Sequence, residues 1–201
     1  MRSCYPVRVI CAETGEPVDA QICDKIIEAN FQDFEKHWVP GFRDLPVLGE
    51  LSTAVPEDEQ WDWRGKVKKT QGKLSYRHFV LECDKMTQGF MRLELTHRSR
   101  MNNEHLVYID YVAVAPWNQT SRVKVPRFKT IGTILFTQAV GTSFDEQFAG
   151  RLGLHALPGA VTWYRDRLKM RSFGPDKDYH DLEYFEYDEA LANQFMDKCS
   201  K

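Results

Sequence analysis

The sequence predicts a mixed α+β fold: one mostly antiparallel central sheet flanked by helices, in a single domain over residues 1–201. Three observations predict it. The middle of the chain holds consecutive apolar runs with strand character and short turns between them, an antiparallel meander. The C-terminal half alternates strand-like and helix-like segments. One run, "HLVYIDYVAVAP" (105–116), is apolar and aromatic throughout except for Asp110, the mark of a central strand covered on both faces. A chain of 201 residues is long enough to bury such a core without a metal or disulfide staple.

Taken in order, "YPVRVICAETG" (5–15) is rich in β-branched residues and stops at Gly15 and Pro17, so it reads as a strand. Residues 17–38 read as a helix, because Ile22, Ile26, Ala29 and Phe34 recur at spacings of three to five, and Pro40–Gly41 ends it. Residues 40–56 are irregular. Residues 56–72 start acidic and end basic, which suits the helix macrodipole. Strands follow at 76–84 and 89–99, with "KMTQ" as the turn, and then at 105–116. A loop leads to a helix from about residue 130, carried by Ile131, Ile134, Leu135, Ala139 and Val140. A short strand (150–157), a helix opened by Pro158 (158–170), a strand (181–188) and a terminal helix (189–199) complete the chain.

Charge and composition exclude some classes. Charged residues are 28% and the formal net charge is -2, which argues against a large nucleic-acid footprint. No segment approaches the ~20 apolar residues of a membrane helix, and the N-terminus lacks the apolar run of a signal peptide. Cys4, Cys11, Cys23, Cys83 and Cys199 form no CxxC and no zinc spacing with histidine; they read as reduced thiols of a cytoplasmic protein with no metal site.

The stretch "VPRFKTIGTILF" (125–136) carries the first functional signal. A helix N-terminus offers unpaired N–H groups and partial positive charge, which favour a phosphate. Gly132 permits close backbone approach, and Arg122, Lys124, Arg127 and Lys129 add positive charge. A surface loop feeding an amphipathic helix explains the same residues.

The segments "YIDYVAVAPWN", "RFKTIGTILF" and "GLHALPGAVTWYRDRLKM", in that order, resemble the GNAT superfamily of acetyl-CoA-dependent N-acetyltransferases over roughly residues 75–170. The family's coenzyme loop, Gln/Arg-x-x-Gly-x-Gly/Ala, aligns with Arg127 to Gly132, with Thr130 in place of the first glycine. Val112 to Pro116 matches the family's "VAVxP"-like strand end, and Ala160 to Tyr164 matches its Ala-x-x-x-Tyr element. The resemblance implies a splayed pair of parallel strands, 105–116 and 150–157. It implies pantetheine contacts from the main chain of Val112 and Val114. The pyrophosphate would be held by amides of Arg127, Phe128, Lys129, Thr130, Ile131, Gly132 and Thr133. Tyr164 would be the acid that protonates the leaving thiolate.

Acyl transfer to an amine also needs a base. Asp110 is the first candidate: it shares a strand face with Val112 and Val114, and an acid in an apolar strand is costly unless paired. Glu94 is the second. Asp110 as a structural partner of an arginine or tyrosine is equally consistent. His155 could relay protons or be structural. Trp61 and Trp63 fall in the segment that covers the acceptor site in this family, and the acidic run 56–62 suits a cationic amine or a solvated helix start alike. The expected partner is a small-molecule or peptide amine, and family members often form homodimers. Two alternatives stand beside the acetyltransferase: a non-catalytic acyl-CoA-binding protein, and a toxin-type enzyme acting on aminoacyl-tRNA.

Overall fold

In a computed structural model, the structure describes residues 1–45, 48 and 60–199, with the side chain of Cys199 excepted. One nine-stranded sheet runs in the order β6-β1-β2-β3-β4-β5-β7-β9-β8. Its strands are β1 (Cys4–Cys11), β2 (Pro17–Cys23), β3 (Tyr76–Cys83), β4 (Met86–Glu94), β5 (Val107–Val114), β6 (Phe128–Lys129), β7 (Leu152–Ala156), β8 (Arg171–Asp176) and β9 (Leu182–Tyr187). The helices are α1 (Glu28–Asp33), α2 (Val39–Asp44), α3 (Trp63–Thr70), α4 (Ile131–Asp145) and α5 (Glu189–Cys199). The sheet is mostly antiparallel, and its parallel pair is β5–β7. That ladder is three pairs long, from Val107↔Leu152 to Ile109↔Leu154, although β5 runs on to Val114 and β7 to Ala156.

The chain forms two compact units: residues 1–92 with 111–135, and residues 93–110 with 136–201. In the first, Trp38, Trp63 and Phe90 are fully buried, and the Trp63 ring stacks on Phe90 at 4.9 Å. The Trp38 indole N–H donates to the Thr87 carbonyl at 3.0 Å, so the polar edge of a buried ring is satisfied. In the second, Phe136 of α4 packs edge-on against Tyr187 of β9 and Phe195 of α5.

Several elements differ from the sequence expectation. Residues 17–23 are a strand, not the start of a helix: Pro17, Asp19 and Gln21 are exposed and alternate with Val18, Ala20 and Ile22, a period of two. The helix starts only at Glu28 and passes through a wide turn, Phe34–Trp38, into α2. The β3–β4 turn is Asp84–Lys85 rather than "KMTQ"; both residues have positive φ (52° and 59°), as a two-residue hairpin loop requires. The expected helix over 158–170 is present from Pro158 to Arg167 but irregular: a tight turn at Pro158–Ala160 runs through Val161 and Thr162 into a wide turn at Trp163–Arg167. Strand β8, unanticipated, carries a proline that it tolerates as the last strand of the sheet. The expected helix over 56–72 begins at Trp63, where the Asp62 carboxylate caps it by accepting the Gly65 N–H at 2.9 Å. The acidic run at 56–59 lies outside the described residues.

The expectation of uniformly reduced thiols is also corrected. Cys4 and Cys23 are directly opposed in the β1–β2 register and form a disulfide; Cys11 and Cys83 are free. The spacing of 19 residues carried no motif, because only the hairpin register brings the two together. Among the described residues, no helix is long and apolar enough to cross a membrane.

Candidate active site

The first unit holds the candidate coenzyme cradle. Gln88 of β4, fully buried, organises it. Its carbonyl accepts the Ala115 N–H at 3.0 Å, and its side-chain oxygen accepts from Trp117 Nε1 and Asn118 Nδ2, both at 2.9 Å. Asn118 Oδ1 in turn accepts the Phe128 N–H at 2.8 Å, which fixes the loop entering α4. With Ala115 bonded to β4, strand alternation turns the main-chain groups of Val112 and Val114 toward the opposite edge of β5. The Val114 carbonyl accepts there from Gln119 Nε2 at 2.7 Å, so one of its two lone pairs is taken within the chain.

The phosphate loop is likewise narrower than the sequence implied. The Arg127 N–H donates to the Trp117 carbonyl and the Phe128 N–H to Asn118, so neither is a spare donor. The Arg127 side chain pairs with Asp84 at 2.6 Å, and Phe128 is buried. Arg122 is 3% exposed and donates to the Phe42 and Leu45 carbonyls; it is a structural tie, not a phosphate ligand. What remains is the start of α4. Its ladder opens with Ile134 N–H to the Thr130 carbonyl at 2.9 Å, with Ile131, Gly132 and Thr133 forming the first turn. Thr130 has φ 72°, the left-handed region that glycine favours, and its hydroxyl donates to the Lys129 carbonyl at 2.5 Å. A Cβ on Gly132 would meet nothing within 4 Å, so this turn faces open space where an anion can approach.

The second unit holds a polar cluster on one face of β5, β7 and β9. His155 is its centre: Nδ1 lies 2.7 Å from the Tyr108 hydroxyl, and Nε2 lies 3.1 Å from Asp176 Oδ2. Arg100 also pairs with that carboxylate, and the two partners hold Asp176 down at about 2. Tyr179 stacks on His155 with centroids 3.8 Å apart, and His97 stacks on Tyr108 at 4.1 Å. Glu94 accepts from the Thr96 hydroxyl at 2.6 Å and lies 3.3 Å from His97 Nε2. The Glu186 carboxylate accepts from Ser99 Oγ at 2.6 Å and from Tyr184 Oη at 2.9 Å. Burial pushes the Tyr108 phenol well up, with Tyr179, Asp110 and Glu94 adding to it, and pushes the His155 imidazole down.

No protein-family model matches the chain, and no curated protein matches it. Solved structures do. Apo FdhC, a nucleotide-linked sugar GNAT, is 11% identical with TM-score 0.57 over 98% of this chain and 97% of that one. A mutant of the toxin AtaT bound to the C-terminus of the antitoxin AtaR is 16% identical with TM-score 0.54, over 89% and 97%. The PaiA N-acetyltransferase of Thermoplasma acidophilum in complex with coenzyme A is 11% identical with TM-score 0.51, over 84% and 98%. The chain has the GNAT fold.

On this GNAT fold the expected site residues are distributed unevenly. Val112, Val114 and residues 127–133 all belong to the first unit; Glu94, Asp110, His155 and Tyr164 belong to the second. Within the second, the charges of Glu94 and Asp110 both act on Tyr108 and Tyr179, so both carboxylates border the His155 cluster. Tyr164 is not in that cluster. It is buried against Trp163 and Phe185, on the face opposite the one shared by Tyr184 and His155, and burial raises its phenol well above the ordinary value. Tyr108, Asp176, Tyr179 and His97 were not singled out from the sequence. Tyr108 could have been: it lies two residues before Asp110 on the same strand face.

Proposed function

We propose that the protein is an acyltransferase that moves an acetyl group from acetyl-CoA to an amine by direct attack, without a covalent enzyme intermediate. The observation behind it is the start of α4 on a GNAT fold: a left-handed residue, Thr130, followed by a first turn with open space over Gly132. Ile131, Gly132 and Thr133 would hold the pyrophosphate, with Lys129 supplying charge beside them, while the main chain of Val112 would take the pantetheine arm. The resemblance assigns Tyr164 as the acid that would return a proton to the leaving thiolate. Calorimetry with acetyl-CoA and thiol release with an amine panel test this reading. Saturable binding plus amine-dependent thiol release is the expected result, and Tyr164→Phe should lower kcat at least tenfold. Absence of binding at millimolar acetyl-CoA would refute it, and binding without thiol release would leave a non-catalytic acyl-CoA-binding protein.

A second reading concerns the acceptor. Residues 63–81 hold Arg64, Lys66, Lys68, Lys69, Lys73 and Arg77 with no carboxylate, and Lys68, Lys69 and Lys73 are exposed. Such a run fits an amine carried on a nucleic acid, as in an aminoacyl-tRNA. Gel retention of bulk tRNA at low salt, lost in a Lys68→Glu/Lys69→Glu variant, would favour it over a free amine.

A further inference from the structure

The β1–β2 hairpin carries a sulfur bridge whose two ends differ in access. Cys4 and Cys23 are directly opposed, with Cα atoms 4.1 Å apart. Next to them, the Asp24 N–H donates to the Ser3 carbonyl at 3.0 Å, so Ser3 and Asp24 are a hydrogen-bonded pair. Bonded and open pairs alternate along an antiparallel ladder, and the open pairs bring their side chains closest. Cys4 and Cys23 are therefore an open pair, where a cross-strand bridge can form and break without moving the backbone far. Cys4 is exposed. Cys23 is fully buried and belongs to the core cluster of Trp38, Val80 and Phe90.

This end of the hairpin is fastened independently of the bridge. The Ser3 N–H donates to Asp24 Oδ1 at 2.8 Å. Arg2 donates through Nε to the Lys25 carbonyl at 3.0 Å and through Nη2 to Glu82 of β3 at 2.6 Å. Glu82 also accepts from Gln21 of β2 at 2.7 Å. With these contacts in place, opening the bridge leaves the two sulfurs opposed, so the bridge can re-form. Neither of the free thiols Cys11 and Cys83 is placed to attack it. Cys11 closes the other end of β1, about 23 Å away along seven strand residues. The β2–β3 register sets Val80, not Cys83, opposite Cys23. Burial also pushes the Cys83 thiol up to about 11, which leaves little of the attacking thiolate at neutral pH.

We propose that Cys4–Cys23 is a reversible thiol–disulfide exchange site, entered at Cys4 by a small external thiol or dithiol. The external thiolate attacks Cys4 Sγ, because Cys23 is closed to solvent. A sulfur–sulfur bond forms to Cys4, the Cys4–Cys23 bond breaks, and Cys23 leaves as a thiolate that takes a proton. A monothiol ends as a mixed disulfide on Cys4, which Cys23 can displace again. With a dithiol, the second thiolate of the reagent attacks its own sulfur in that mixed disulfide and releases Cys4. The chain then gains two electrons and two protons, and the dithiol becomes a disulfide. The output is stability: the bridge restricts the unfolded chain, so the oxidised form is the more stable one. Coenzyme binding is not the output, because β6 of the candidate cradle pairs with Ile10 and Cys11 at the far end of β1. The exchange is independent of the acyltransferase reading.

Peptide mapping and thermal melts test this. Native wild-type protein treated with oxidised dithiothreitol, then unfolded, alkylated and digested, should yield the linked Cys4–Cys23 peptide. Reduced dithiothreitol should open the bridge in the native protein, leave the far-UV circular dichroism unchanged at room temperature, and lower Tm by roughly 6–12 °C. Returning the protein to oxidised dithiothreitol should restore both the linked peptide and Tm. Single-cysteine variants test the point of entry. With oxidised glutathione, Cys23→Ala should take the adduct on Cys4, whereas folded Cys4→Ser should take none on Cys23. A linked peptide that never forms, or a chain that unfolds at room temperature once reduced, would overturn the proposal. So would a bridge that resists dithiothreitol until urea unfolds the protein, which would make it a fixed staple. An adduct on Cys23 as abundant as that on Cys4 would overturn entry at Cys4, and an unmoved Tm would overturn stability as the output.

Discussion

Thr130 occupies a left-handed backbone position with a β-branched side chain. That conformation costs an L-residue about 1–2 kcal/mol, which glycine avoids, whereas glycine elsewhere costs about 0.5–1 kcal/mol through the entropy of the unfolded chain. Relief of the strain therefore outweighs the added chain entropy at this position. Thr130→Gly should leave the urea midpoint unchanged or raise it, by up to about 1 kcal/mol of stability. A fall in the midpoint would show that the threonine hydroxyl on the Lys129 carbonyl outweighs the strain. His78 makes a second residue-scale case. Burial, with help from Arg92, lowers its imidazole from 6.5 to about 4, and its Nε2 sits 2.8 Å from the Thr70 hydroxyl. The folded value lies below the unfolded one, so the unfolded chain binds the extra proton. The contribution of neutral His78 is complete above about 6.5 and is lost as the pH falls toward 4. His78→Gln should flatten the pH dependence of the urea midpoint across that window. The loss it removes is on the order of 1–2 kcal/mol once partial exposure is discounted.

At the scale of elements, the approach of α4 to β4 is set by Gly89. A Cβ there would come within 2.8 Å of Leu135 Cδ1 and 3.1 Å of Ile131 Cγ2, and Leu135 is fully buried with little room to move. Gly89→Val should cost about 1–3 kcal/mol by overpacking. Because Ile131 is the first residue of α4, the same variant should weaken acetyl-CoA binding, measurable by calorimetry; an unchanged Kd would separate the cradle from this packing. Elements with one unambiguous period were legible in the sequence: β3, β5, α4, β9 and α5 fall where their patterns put them. Those missed lacked such a signal. In β2 the alternation of Val18, Ala20 and Ile22 merged into the helical spacing of Ile26 and Ala29, while β6 is two residues long and β8 holds Gly174 and Pro175. The candidate site divides the same way. The turn from Thr130 to Thr133 is contiguous and was read from a local motif. Tyr108, His155 and Asp176 come from three strands and meet only through the parallel register of β5 with β7 and the antiparallel register of β7 with β9 and β9 with β8. No sequence spacing encodes that meeting.

For the whole molecule, the net charge of -2 gives an anionic coenzyme no overall attraction, so binding must come from local groups. The amides of Ile131 and Gly132 at the positive end of the α4 dipole are such groups, and their natural guest is the pyrophosphate rather than the acyl arm. Acetyl-CoA at about 100 times its Kd should stabilise the folded protein by about 2.7 kcal/mol, which for a chain of this size raises Tm by roughly 5–10 °C. Free CoA carries the same phosphates and should give a shift of similar size. S-acetyl-pantetheine, which has the thioester and the arm but no pyrophosphate, should give almost none at the same concentration. If acetyl-pantetheine matched acetyl-CoA, the binding energy would lie along the main chain of Val112 and not at the start of α4. If neither CoA nor acetyl-CoA moved Tm, the open first turn of α4 would be only the end of a helix.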